Sequence, residues 1–217
     1  MKKYVEIIIT ILFLIVSFTL PGCINKITES KATEINETND WKVYNGSSFE
    51  FKYPKILSLS QQEERILLNH SIKYQHANPC DFKGDAPQLD KLTDFNVSLR
   101  VFDKNLKDTV ETNESSDIIK NFFKGDTVEL SPGFIDKFNI GSLTGYQITI
   151  GVEGCGMYTY YFPLTQNKTL AVTRSFISEF LPINADSQKY LSLPGIITPS
   201  QEEEFFNSIL LSFKITS

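Results

Sequence analysis

The 217-residue sequence predicts an α+β domain, an antiparallel β-sheet flanked by helices as in an α/β/α sandwich. Three observations carry that expectation. Apolar residues recur with a period of two in several short runs. Two stretches change to a helical spacing. The strand-like runs follow one another closely, as in a meander, with no helix between each pair to carry a parallel crossover.

The chain opens on a different pattern. Lys2 and Lys3 precede Ile7 to Leu20, an almost unbroken apolar run that has the length of a secretory segment and is short for a hydrocarbon layer of roughly 30 Å. Leu20, Pro21, Gly22 and Cys23 close it. A small residue directly before a cysteine, with a branched apolar residue three places before it, resembles the lipobox of bacterial lipoprotein signal peptides. The resemblance implies cleavage after residue 22, acyl chains on Cys23, and a protein anchored to a cell membrane on its extracytoplasmic side. Two or three acyl chains anchor stably where a single chain is marginal. Without the resemblance, residues 1–22 read as an anchor helix with an incidental cysteine. Residues 23–40, rich in Thr, Asn, Glu and Lys, bury too little apolar area to offset ordering entropy and read as a disordered polar tether. Composition changes at Trp41, and residues 41–217 read as a single globular domain.

Within it, SFEFKYP sets Phe49, Phe51 and Tyr53 on one face, and Pro54 ends the strand. Leu68, His70, Ile72, Tyr74 and His76 share a face of a second strand, and the intervening SLSQQEER reads as the polar turn of a hairpin joining the two. DFNVSLRVFD alternates Phe95, Val97, Leu99 and Val101 against polar residues. SSDIIKNFFKG then takes a helical spacing through Ile118, Ile119, Phe122 and Phe123, with a serine at its start and Gly125 at its end. GYQITIGV, MYTYYFPL and TLAVTRSFIS follow as three strands. FLPINADSQKYLSLPGI, with two prolines, reads as a long loop. The last segment has Thr198 as a cap, Pro199 at the first helical position, and a stripe of Phe205, Phe206, Ile209, Leu210 and Phe213.

WKVYNGSSFEFKYPK resembles the opening of PsbP-like domains, and FFNSILLSFKI resembles their closing helix and short strand. The resemblance covers the two ends of the domain. It implies an α/β/α sandwich, often exported, whose members mostly serve as binding or assembly factors without catalytic residues.

A net charge of −5 argues against nucleic acid as a partner and against attachment to anionic lipid through a basic patch. Cys80 and Cys155 form an even pair in an exported domain, which suggests a disulfide. Two other readings stay open: a reactive Cys155 thiol between glycines with His70 or His76 as base, and a metal site from His70, His76 and Cys80. Asp81, Asp85, Asp90 and Asp94 lack the alternate spacing of a calcium loop and read as a solvated surface. Asp81 and Asp85, lying beside a half-cystine, are the candidate ligand-binding carboxylates. Tyr161, opposite Tyr158, Tyr160 and Phe162 on its strand, is the candidate outward ring. No nucleophile elbow, zinc-protease helix, phosphate loop or dinucleotide turn is written in the sequence, and no cofactor or metal is expected. The reading that fits best is a non-catalytic, lipid-anchored domain at the cell envelope that binds a partner protein or small ligand. The alternatives are an envelope hydrolase using carboxylates of the Asp81 to Asp94 loop and a structural envelope protein.

Overall fold

The computed structural model describes residues 41–217 apart from 116, 118, 119, 121, 183 and 217. The expected signal peptide, Cys23 and the tether lie outside the described residues. Among the described residues there are twelve strands. They are β1 (Trp41–Asn45), β2 (Phe49–Pro54), β3 (Ser58–Gln62), β4 (Arg65–His76), β5 (Leu89–Phe102), β6 (Phe123–Lys124), β7 (Thr127–Val128), β8 (Ile135–Ile140), β9 (Leu143–Val152), β10 (Cys155–Thr165), β11 (Lys168–Ser175) and β12 (Lys214–Ile215). Helices α1 (Leu106–Asn113), α2 (Ser187–Leu191) and α3 (Pro199–Leu211), with a 3-10 turn at Ser178–Phe180, complete the named elements.

The main sheet has seven strands in the order β3-β4-β5-β11-β10-β9-β8, and each neighbouring pair is antiparallel. The domain is α+β, as the periodicity predicts. A smaller sheet, β1-β2-β12, brings the two ends of the domain together.

Both faces of the main sheet are packed. On one, Phe95, Val97, Leu99, Tyr160, Phe162, Leu170 and Val172 meet Phe51 of the small sheet and the Phe205, Phe206, Ile209 and Leu210 stripe of α3. On the other, Tyr161, Ala171, Phe102 and Ile148 meet Val110 of α1 and Phe122. Strict alternation along β10 therefore sends every ring from Tyr160 to Phe162 into one core or the other.

Three expectations change. The predicted hairpin between β2 and β4 does not form, because SLSQQ is itself strand β3, paired to β4 across a turn begun by Glu63 at φ 55°. As the edge of the sheet it needs little apolar content, so its one Leu59 left no alternation to read. The helix expected through Gly125 stops earlier. Asp117, Lys120 and Phe122 are helical, but Phe123 starts β6, and Gly125 turns the β6–β7 hairpin at φ 69°. The loop before α3 contains the 3-10 turn and α2, whose Tyr190 is buried.

Helix α3 has the expected start. The Thr198 hydroxyl accepts from the Gln201 N–H, and the Gln201 side chain returns the bond to the Thr198 N–H, with Pro199 behind the cap.

Candidate functional site

A cleft of about 230 Å³ opens where β10 begins and β11 ends. β10 contributes Tyr158, and the strand-to-turn segment after β11 contributes Phe176, Ile177, Phe180 and Leu181. Pro199, at the start of α3, closes the apolar wall. Tyr158 and Phe176 pack with ring centroids 4.6 Å apart. Gly154 forms part of the rim: register places Cys155 opposite Val152, so Glu153 and Gly154 are a two-residue turn with φ of 52° and 81°. Two positive φ values mark the turn type that follows the right-handed twist of a hairpin.

Three charged side chains line the cleft, Arg174, Glu202 and Asp94, and each is already paired. Arg174 of β11 donates from Nε to Glu202 Oε1 at 2.7 Å and from its terminal nitrogen to Glu202 Oε2. It also reaches Glu203 at 2.7 Å and lies over the Phe206 ring with Cζ 4.7 Å from its centroid. Burial works against the guanidinium charge, but the carboxylates of Glu202 and Glu203 outweigh it and hold the group above its ordinary range. Burial pushes Tyr160, beside this cluster, up to about 12.

The third group is Asp94. It is fully buried, with Oδ1 2.6 Å from His70 Nδ1 and Oδ2 accepting from the Ile197 N–H at 2.8 Å. The sequence placed Asp94 among solvated loop acids. The structure places it inside β5, where a register shift between His70 and Ser71 of β4 lets it reach both partners. An acid inside the apolar run LTDFNV, with a histidine on the neighbouring strand, was the signal available.

Cys80 and Cys155 are bonded to one another. This removes the free Cys155 thiol and the thiolate-metal arrangement. His76, proposed as a base for that thiol, is buried with Nδ1 2.8 Å from the Ala77 carbonyl and Nε2 3.1 Å from that of Lys91. The disulfide adjoins the cleft: Cys155 follows the rim residue Gly154, and Cys80 Sγ lies 3.8 Å from Ser178 Oγ in the 3-10 turn.

Asp81 belongs to the loop carrying Cys80, and its two oxygens accept from the Lys83 and Ala86 N–H groups at 3.2 and 2.7 Å. Such bonding shapes the loop backbone. Asp85 and Asp90 are exposed, so the Asp81 to Asp94 carboxylates do not converge. Tyr161, expected to point outward, is fully buried; its hydroxyl meets Glu114 and lies 2.7 Å from Asn113 Nδ2. The reason is α1, which covers the second face of the sheet. Among the described residues there is no cluster of His, Cys, Asp or Glu suited to a metal ion, and no helix long and apolar enough to cross a membrane.

No family model matches the chain, and no curated protein matches it. Among solved structures it is similar to a protein from Bacteroides thetaiotaomicron VPI-5482, whose crystal structure was determined at 1.50 Å, with 11% identity and a TM-score of 0.41. That likeness covers 82% of this chain and 49% of the other, so this chain spans about half the length of its structural neighbour.

Proposed function

We propose that this chain is a lipid-anchored, extracytoplasmic binding domain of PsbP-like kind. Cys23 carries the membrane contact at the head of a tether formed by residues 23–40, and the folded domain holds a small ligand or a group of a partner protein in the cleft beside α3. One observation carries the binding part of this reading: a concave site walled by Tyr158, Phe176, Ile177 and Phe180, next to a paired Arg174 and Glu202. Such an apolar site with a few fixed polar groups suits retention of a ligand. The carboxylates that a hydrolase would need are spent on a loop backbone, at Asp81, or on His70 and Ile197, at Asp94. The anchoring part rests on the LPGC sequence.

The test uses the full chain produced in a bacterium fed an alkyne-bearing fatty acid. Labelling is expected in the wild type and not in Cys23→Ser. The same preparation in lipid nanodiscs is then screened against small fragments by ligand-observed NMR. Binding is expected to survive Asp81→Asn and Asp85→Asn with no turnover. Turnover of an ester, amide or glycoside that disappears in Asp81→Asn would replace this reading with the hydrolase.

A further inference from the structure

Resting on the binding reading, we infer that the ligand of the cleft is a small, neutral aromatic molecule. Size is the first argument. An engineered apolar cavity of roughly 150 Å³ takes benzene, and sites for drug-sized ligands start at roughly 300 Å³. At about 230 Å³ this cleft matches one substituted ring. Wall chemistry is the second. Tyr158, Phe176 and Phe180 bring three rings to the lining, and aromatic pairs favour offset or edgewise packing.

Charge is the third argument, and it selects neutrality. Both oxygens of Glu202 are held by Arg174, Arg174 is shared with Glu203, and both oxygens of Asp94 are held by His70 and Ile197. A charged ligand would lose its hydration without gaining an unpaired counter-charge, which is costly in an apolar cleft. A neutral ring meets no such penalty.

Three phenyl diazirines test this on the full chain in nanodiscs: one neutral, one carrying a carboxylate and one carrying an ammonium. Each is irradiated, and the protein is digested and mapped by mass spectrometry. The neutral probe is expected to label residues 154–158 and 176–181, roughly tenfold above either charged probe, and excess toluene is expected to suppress it. In Leu181→Lys, which adds an unpaired cation to the wall, neutral labelling should fall and carboxylate labelling should rise. In Phe180→Ala, which adds no charge, neutral labelling should fall while the order of the three probes is kept. Equal or stronger labelling by a charged probe in the wild type overturns the ligand class and leaves the binding site standing. Absence of these segments from the products of all three probes overturns the site as well.

Discussion

Glu114 follows the last turn of α1, half-buried, and one of its oxygens takes the Tyr161 hydroxyl and lies 3.4 Å from Asn113 Nδ2. Burial raises its pKa above the ordinary 4.5, and the two hydrogen bonds only partly restore it. The folded state thus favours the protonated acid more than the unfolded chain does. The group's contribution to stability is complete below the ordinary glutamate pKa and is lost as pH rises through the raised folded value. Glu114→Gln keeps an acceptor for Tyr161 without the charge. In urea unfolding it should be more stable than the wild type at pH 7 and should lose that advantage as pH falls towards 4.5. Curves that stay parallel across this range would sink the idea. This residue was invisible in the sequence for a definite reason. NESSD reads as polar surface, and only the three-dimensional fold brings Tyr161 over it. The same covering layer explains why Tyr161 read as an outward ring: period two gives the face correctly, but says nothing about what lies above that face.

At the scale of elements, α3 is held to the sheet by its apolar stripe and by the Arg174–Glu202 pair from β11. Side-chain exposures of 13% and 8% put this pair among buried ion pairs, in which losing one partner costs far more than the pair contributes. Arg174→Met should lower unfolding free energy by about 3 kcal/mol, because Glu202 keeps its burial and loses its partner. Adding Glu202→Leu should recover most of that loss, since the double variant leaves no stranded charge. Equal losses in the single and double variants, measured by denaturant unfolding, would mean that packing of the Arg174 stem over Phe206 is what matters. The elements themselves were legible in proportion to their apolar content. β2, the later part of β5, β10 and α3 carry dense stripes and stand where the pattern put them. β3 has little to bury at its edge, and α1 buries only Thr109 and Val110, so neither announced itself. Helix α1 begins instead on a local signal, Asn105 accepting from the Asp108 N–H at 2.8 Å, which a reading led by apolar spacing passes over.

At the scale of the whole domain, the ladder β4-β5-β11-β10 joins distant parts of the chain, and the Cys80–Cys155 bond adds a covalent link across a separation of 75 residues. Between the two half-cystines run β5, α1 and β6 to β9, so the loop they close contains a central strand and most of the second face. Pairing was legible because an even number of cysteines in a domain read as exported has few other fates. Its position beside the cleft was not, since nothing local to NPCDFKGD or EGCGMY says that Cys80 meets Ser178, the neighbour of the wall residue Ile177. Removing the bond leaves the β4–β5, β5–β11 and β10–β11 ladders intact, so the fold should survive. What changes is the unfolded chain, which regains the freedom of a long open loop, worth roughly 4 kcal/mol in the chain-entropy account. The double variant Cys80→Ser, Cys155→Ser should therefore keep the circular dichroism of the wild type while losing about 2–4 kcal/mol in denaturant unfolding. Reduced wild type should lose the same amount. A loss below about 1 kcal/mol in both would mean that residual structure already holds the two segments together in the unfolded chain, and that the bond serves the cleft rim more than the stability of the domain.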